Sequence, residues 1–204
     1  MVYPTVKKTN SMNTNIWQGT HIRLRAFEPT DWETHFIWDQ DSEMERQLYH
    51  INFPRSKEAT RRWAEKEAAK EPEGDNFFFV IENLSGEQVG IISTHESSTR
   101  NGTFSYGVAI RKEHQRKGYA SEAILLVLRY YFQELRYQKV TPPVFSFNEA
   151  SIRLHERLGF QQEGRLRRMI FTQGQYFDEI FFGMTAEEFT SKHLNSEGTL
   201  NEKM

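Results

Sequence analysis

A short basic turn at residues 115–120, with the sequence Q-R-K-G-Y-A, combines the residue types best suited to holding an anion. Arg116 and Lys117 supply positive charge, and Gly118 lets the backbone approach a bound group closely. The turn precedes a predicted helix, whose first N–H groups lack intrahelical partners and whose dipole adds partial positive charge. This pattern predicts a phosphate-binding turn, with a purely structural or solvated turn as the alternative. Neither G-x-x-x-x-G-K-[ST] nor G-x-G-x-x-G is present.

A strand and a helix must flank this turn if it is to hold an anion. Before it, alternation predicts a strand, with large residues Phe104, Tyr106, Val108 and Ile110 separated by small ones. After it, apolar residues at helical spacing predict a helix over residues 121–134. The sequence therefore places the turn at a strand-to-helix junction.

Composition limits the class of protein. The chain has 204 residues, which suits one domain, and a formal net charge of −2 with both signs interspersed, which argues against a dedicated nucleic-acid binder. It has no cysteine, so a disulfide, a cysteine nucleophile and a cysteine-ligated metal are excluded. No apolar run is long enough to span a bilayer. We therefore expect a cytoplasmic domain at residues 19–190, after a poorly ordered extension at 1–18 and before a polar tail at 191–204.

The first half of the chain reads as a strand, two polar helices and an antiparallel meander. We expect the first strand at residues 21–27, a helix opened by a capping box from Thr30 to Glu33, irregular structure at 44–54, and a second helix at 56–70. The two helices form either a wall of a substrate cleft or simply a polar surface. Strands at 77–82 and 88–96, with a third after Asn101-Gly102, complete the meander.

The second half begins with a fifth strand at 139–147, which Pro142-Pro143 interrupts and leaves with an unpaired side. Asn148 is a good N-cap for a short helix, and Gly159 is a suitable left-handed C-cap. Strands at 165–172 and 176–184 form a final hairpin.

Several of these motifs together resemble one enzyme family. Q-R-K-G-Y-A is similar to the [Q/R]-x-x-G-x-[G/A] pyrophosphate loop of the GNAT (Gcn5-related) N-acetyltransferases. F-N-E-A-S-I-R-L-H-E-R-L-G-F, at residues 147–160, resembles their N-x-x-[A/S]-x-x-x-Y-E-x-x-G-F signature. E-G-R-L-R at 163–167 and G-Q-Y-F-D-E at 174–179 resemble the RimJ/RimL branch, which contains ribosomal-protein-alanine acetyltransferases. The resemblance covers residues 19–190.

The resemblance implies the GNAT acyltransferase fold, an α/β (α+β) architecture. Its central sheet is mixed and mostly antiparallel, with helices on both faces and a splay between strands four and five. It also implies acetyl-CoA (coenzyme A) as co-substrate and no metal. The interspersed charges and the short apolar runs predict no nucleic-acid and no membrane partner, and a homodimer is left open. The cofactor-binding residues that it implies are Val108, Ala109, Ile110, Gln115, Arg116, Lys117, Gly118, Tyr119, Ala120, Asn148 and Ser151.

The family implies direct attack of a primary amine on the thioester in a ternary complex, the amine belonging to a protein N-terminus or a small molecule. The family's acid, a tyrosine, is replaced here by His155, so the acid role passes to His155 or is absent. Glu96, His95 and Tyr106 are the candidate bases. Two alternatives remain open: an acyl-CoA-binding protein of the same fold without transfer activity, and a non-enzymatic interaction module.

Overall fold

The computed structural model describes residues 15–48, 51–71 and 74–194. These contain eight strands: β1 (Ile22–Arg25), β2 (Phe78–Asn83), β3 (Gln88–Ser98), β4 (Thr103–Ile110), β5 (Lys139–Val140), β6 (Pro143–Phe145), β7 (Gln161–Thr172) and β8 (Gln175–Thr185). The α-helices are α1 (Trp32–Trp38), α2 (Ser42–Leu48), α3 (Lys57–Ala68), α4 (Tyr119–Gln133), α5 (Glu149–Leu158) and α6 (Ala186–Phe189). Among the described residues, no helix is long and apolar enough to cross a membrane.

The strands form one mixed sheet in two parts. β1 to β4 pair antiparallel in chain order. β4 then meets β5 in parallel through two residue pairs, Thr103 with Lys139 and Phe104 with Val140. The segment from β5 to β6 runs antiparallel to β8, whose other side carries β7. Beyond Phe104, β4 and β6 separate, which confirms the predicted splay and leaves an open edge inside the sheet.

Helices cover both faces of the sheet. Successive side chains of β2 point to opposite faces, and both faces are apolar there. Ile81 faces the larger core, which contains most of the buried α4 residues and where Phe104 stacks on Tyr131 at a centroid distance of 3.9 Å. Val80 points to the opposite face and packs with Phe27 and with Ala64 of α3. The fold therefore matches the predicted α/β class with helices on both faces.

The expectation of irregular structure at residues 44–54 is wrong for its first part, because α2 runs to Leu48. Asp41 initiates this helix: its Oδ1 accepts hydrogen bonds from the N–H groups of Glu43 (3.1 Å) and Met44 (3.2 Å). The helix has only seven residues and few apolar ones, so it carries too little periodicity to recognise in the sequence. Residues 49–50 lie outside the described residues.

The predicted Thr30–Glu33 capping box is also wrong. A short 3-10 helix, Pro29–Asp31, precedes α1, and the reciprocal capping pattern joins Glu28 to Asp31 instead. Asp31 accepts the N–H of Glu28 at 2.8 Å and binds the guanidinium of Arg25 at 2.8 Å. The second predicted helix and the hairpin agree with the structure within a few residues at each end.

The predicted extension and tail fall mostly on residues 1–14 and 195–204, outside the described residues. Within the described part, Trp17 packs on Phe79 and Tyr130 at centroid distances of 4.9 and 4.5 Å. The packed structure therefore begins a little before the predicted boundary at residue 19.

Candidate active site

A cleft of about 770 Å³ opens where β4 and β6 separate. It is lined by the end of β4, by the turn at residues 114–121, by one face of α5, and by one side of α2. All of the predicted cofactor-binding residues line it except Lys117, which lies exposed on the turn. The structure thus brings together residues 108–110, 115–121 and 148–151, which are distant in the sequence.

The basic turn has the backbone conformation that an anion site needs. Arg116 and Gly118 both have positive φ, at +62° and +84°, and Gly118 is the N-cap of α4. The Glu122 N–H is bonded to the Gly118 carbonyl at 3.1 Å, so the N–H groups of the three residues before it precede the first helical bond. The Gln115 side chain donates to the Ile110 carbonyl at 3.1 Å and ties the turn to the end of β4.

The open edge of β4 forms one wall of the cleft. Val108, Ala109 and Ile110 pair with Ile92, Ile91 and Gly90 of β3 on one side only. On the other side, the pairing with β5 ends at Phe104 among the described residues. The backbone groups that face the cleft are therefore available to a ligand that can hydrogen-bond like a strand.

Two arginines of the cleft were not predicted from the sequence. Arg153 and Arg157 are four residues apart on α5 and line the cleft on one face of that helix. Arg153 is partly neutralised by Glu149 at 2.8 Å. Together with Arg116 of the turn, the two arginines line the cleft with cations from two elements, which favours the binding of phosphate groups. The i, i+4 spacing was the available signal.

Asn148 is a structural cap in this state. Its Oδ1 accepts the N–H of Ser151 at 3.1 Å, which satisfies one free donor at the start of α5. Both residues also line the cleft. Asn148 and Ser151 are therefore placed both to start the helix and to contact a bound molecule.

Tyr106 and His155 form a buried hydrogen-bonded pair away from the cleft surface. The Tyr106 hydroxyl lies 3.0 Å from His155 Nε2, and His155 Nδ1 lies 2.8 Å from the Ser151 carbonyl. Because a carbonyl only accepts, Nδ1 carries the imidazole proton, and Nε2 accepts the Tyr106 hydroxyl. Burial lowers the pKa of His155 and raises that of Tyr106 well above its ordinary value. Neither side chain lines the cleft.

Glu96 lies at an irregularity of β3, where the pairing with β4 shifts between His95 and Ser98. It is exposed, and its φ of +54° is unusual for a residue with a side chain. Burial raises the pKa of Glu179 on β8, and the negative charge of Glu96 raises it further. Glu179 was not predicted as a site residue, because the pairing of distant strands, rather than any local pattern, brings its carboxylate near that of Glu96.

Comparisons with known proteins agree with this geometry. Residues 21–161 match the family described as Acetyltransferase (GNAT) domain. The chain is 45% identical over 183 residues, covering 89% of it and 99% of the relative, to the SPbeta prophage-derived uncharacterized N-acetyltransferase YokL of Bacillus subtilis. It is 30% identical to the spermidine N(1)-acetyltransferase of Escherichia coli K12, covering 60% of this chain and 65% of the relative.

Its fold is similar to the crystal structure of spermidine N-acetyltransferase from Vibrio cholerae in complex with CoA and spermine. The TM-score is 0.70 and the identity 24%, over 82% of this chain and 97% of that one. The family match covers more than half of the chain, and the Bacillus subtilis relative matches over almost its full length. The chain therefore belongs to the GNAT acetyltransferase family and is an acetyl-CoA-dependent N-acetyltransferase.

Proposed function

We propose that this chain binds acetyl-CoA in the cleft at the open edge of β4 and acetylates a primary amine by direct attack in a ternary complex. The pyrophosphate lies at the N-terminus of α4, against the turn at residues 115–120. The pantetheine arm lies along Val108, Ala109 and Ile110. Asn148 and Ser151 contact the same arm from the start of α5.

One observation carries this proposal: an unpaired strand edge leads, through a short 3-10 helix, to a left-handed turn and a helix start without a side-chain cap. The strand edge offers hydrogen bonds to an extended amide-containing chain. The turn and helix start offer N–H groups and positive charge to phosphate. The arginines of α5 add further charge to the same cleft. The pantetheine and pyrophosphate of CoA present these two features in the same order.

The reaction does not need a strong acid catalyst. The amine nitrogen attacks the thioester carbonyl, a tetrahedral oxyanion forms, and the carbon–sulfur bond breaks to release the thiolate. A backbone N–H of β4 near Val108 stabilises the oxyanion. A thiol has a pKa of about 8.5 and leaves readily without a strong acid. His155 is neutral and bonded through both nitrogens, which favours a role in orienting Tyr106 over one as the acid.

We assign the base that accepts the amine proton to the neighbouring carboxylates of Glu96 and Glu179, which interact electrostatically. Glu96 is exposed, and burial raises the pKa of Glu179 beside it, which makes the Glu179 carboxylate a stronger base than an ordinary one. Tyr106 and His95 remain the other predicted bases. Tyr106 has the weaker case, since its raised pKa keeps the phenol protonated.

The acceptor is either a protein N-terminus, as the resemblance to the RimJ/RimL branch suggests, or a small-molecule amine. The 163–167 and 174–179 motifs support the branch assignment. A cytoplasmic location, a homodimer, the absence of nucleic-acid and membrane partners, and the domain boundaries at residues 18 and 190 also stay predictions from the sequence.

The deciding experiment incubates the purified chain with acetyl-CoA and a panel of small amines and N-terminal peptides. Mass spectrometry then seeks a gain of about 42 Da, the mass of one acetyl group, together with release of free CoA. Binding of acetyl-CoA without any acetylated product across the panel would favour the non-transferring alternative. Failure to bind acetyl-CoA at all would overturn the proposal.

A further inference from the structure

A second, smaller cavity of about 130 Å³ lies beneath α1 and α2, on the sheet face opposite α4. We call it the α1–α2 cavity; its lining includes His35, Trp38, Asp39, Glu45 and Asn52. One ordered water needs roughly 10–15 Å³ by the same kind of measure, so the cavity has room for a small polar group and water.

Two polar atoms of the α1–α2 cavity lack hydrogen-bond partners. His35 Nε2 and Trp38 Nε1 are both buried without a partner within the described residues, and each side chain is 7% exposed. Burial lowers the pKa of His35 to about 4, so its imidazole is neutral at pH 7 and one ring nitrogen is free to accept a proton donor. Unpaired buried polar atoms are costly, so a polar group that bonds to them in this space would be stabilised.

Two carboxylates line the same cavity without a direct ion pair within the described residues. Glu45 is 6% exposed and accepts the backbone N–H of Asn52 at 3.2 Å and its amide at 3.0 Å. Burial raises the pKa of Asp39; Arg55 opposes this shift from a distance, and Glu45 adds to it. A buried carboxylate that has neutral partners only is costly until a cation joins it.

The geometry does not suit a metal ion. No group of three or more His, Asp or Glu side chains in the described residues is arranged to hold one. The available partners are two carboxylates, one neutral imidazole nitrogen and the aromatic ring of Trp38. A primary ammonium has three N–H donors and attracts both carboxylates and aromatic faces, so it matches this set. The Trp38 N–H then donates to a water in the remaining space.

We propose that the α1–α2 cavity binds a primary ammonium group, and that this group is the second, non-reacting ammonium of a diamine-type acceptor. This inference rests on the proposed function, since it names the acceptor class of that reaction. The cavity adjoins the cofactor cleft: Met44 and Leu48 line both spaces. Ile91 of the cavity also pairs across the sheet with Ala109 of the cleft. An amine of pKa about 10.4 stays charged in the cavity while the other end of the molecule reacts.

The test follows the Trp38 indole N–H by NMR in the full chain, without acetyl-CoA. The chain has four tryptophans, so Trp38→Phe assigns the signal. Titration with 1,4-diaminobutane is expected to shift this signal saturably. Glu45→Gln should weaken the affinity at least tenfold. The matched control Glu43→Gln, on the same helix with a 67% exposed side chain outside the cavity, should change it less than twofold.

A silent Trp38 signal, or equal affinities in the wild type and in Glu45→Gln, would overturn the inference. A loss of equal size in Glu43→Gln would also overturn it, because that result reports only general charge. If Glu45→Gln does not fold, Asp39→Asn takes its place, since Asp39 is only half-buried. Its expected loss is at least threefold, and an unchanged affinity would count against the cavity.

A kinetic comparison distinguishes an ammonium that belongs to the acceptor from one that belongs to a separate effector. In Glu45→Gln, the Michaelis constant for the diamine should rise at least tenfold, while that for the monoamine n-butylamine should stay unchanged. If the diamine instead changes only the rate with another acceptor, it is a separate effector and the acceptor assignment falls. Calorimetry with acetyl-CoA accompanies each variant: loss of that binding concerns the proposed function, whereas normal binding with a silent Trp38 concerns the cavity alone.

Discussion

Two glycines show how the same backbone conformation serves different purposes. Gly118 has φ +84° and Gly86 has φ +85°, and an added Cβ would meet no atom within 4 Å at either position. Gly118→Val should therefore strain the backbone of the turn. It should also weaken cofactor binding, because its Cβ would stand where the pyrophosphate approaches. We expect acetyl-CoA binding at least tenfold weaker, about 1.4 kcal/mol, by calorimetry.

Gly86→Val is the matched control, because it imposes nearly the same φ on a turn whose residues do not line the cleft. Its melting temperature should fall about as far as that of Gly118→Val, while its acetyl-CoA affinity stays normal. Equal affinities in the two variants would show that the turn at residues 115–120 does not hold the cofactor.

Asn148 caps α5 and lines the cleft, so its two roles need separating. Asn148→Ala should destabilise the fold by ~1 kcal/mol, as a lost cap does, and should also raise the KM for acetyl-CoA. Ser56→Ala is the control, since Ser56 caps α3 by accepting the Ala59 N–H at 3.1 Å. If both variants lose the same stability and neither changes the KM, Asn148 is a cap alone.

His155 accepts the Tyr106 hydroxyl, so His155→Phe leaves that hydroxyl buried without a partner. This should lower the free energy of unfolding by about 1–3 kcal/mol. We expect turnover to fall by less than ~10², because the leaving thiolate needs little help. Single-turnover acetyl transfer measures this once an acceptor is known.

His155→Tyr restores the family's usual residue at this position. We expect it to be tolerated, or to improve the rate. A large loss of turnover in the Phe variant, with recovery in the Tyr variant and normal acetyl-CoA binding in both, would assign the acid role to His155.

At the scale of elements, Arg25 of β1 joins the start of α1 to the neighbouring strand. Its guanidinium binds Asp31 at 2.8 Å and Glu82 of β2 at 2.9 Å, and both carboxylate side chains are 7% exposed. Arg25→Met should destabilise the fold by roughly 3–5 kcal/mol in denaturant unfolding, because two buried charges lose a partner. Arg61→Met, which breaks only exposed pairs on α3, should cost less than about 1 kcal/mol.

The same element scale shows which parts of the fold a sequence can specify. The turn and α4 were predictable, because Gly118 and a long apolar periodicity act locally. Helix α2 was not, since its short, mostly polar stretch needs Asp41 and tertiary contacts to become helical. The cap of α1 was misplaced because Asp31 is held by Arg25, a contact that local pattern does not contain.

At the scale of the whole molecule, buried histidines make stability depend on pH. The pKa of folded His35 is lowered to about 4 by burial, below the ordinary value of about 6.5. Between these values the unfolded chain binds a proton that the folded chain does not. The free energy of unfolding should therefore fall as the pH drops from 6.5 to 4, by on the order of 3 kcal/mol from His35.

Urea unfolding at several pH values measures this dependence. His35→Leu should flatten the profile in that window, and His21→Gln, whose side chain is 66% exposed, should leave it unchanged. His155 contributes in the same direction, because burial lowers its pKa also. A wild-type profile that is flat from pH 6.5 to 4.5 would contradict the prediction.

In the candidate site, too, some residues are recognisable from local sequence, whereas others depend on contacts between distant parts of the chain. The cofactor residues were predictable because they follow one another in short motifs. The hydrogen bond between Tyr106 and His155 joins residues 49 positions apart, and the Glu96–Glu179 proximity joins strands far apart in the chain. Three of these four residues, Tyr106, His155 and Glu96, were predicted from the sequence. Which of them lie in contact was not predictable, because the order of the strands in the sheet decides it.

The open edge of β4 has a further consequence for self-association. An unpaired strand at the outside of a sheet invites a strand of another molecule to add to it, which leads to aggregation. Here the unpaired edge lies inside the molecule, between β4 and β6, and is reached only through the cleft. A strand of another molecule would have to leave its own sheet to enter, whereas a thin, unbranched chain enters freely. The fold thus leaves the unpaired backbone edge accessible to a narrow ligand and inaccessible to a strand of another protein molecule.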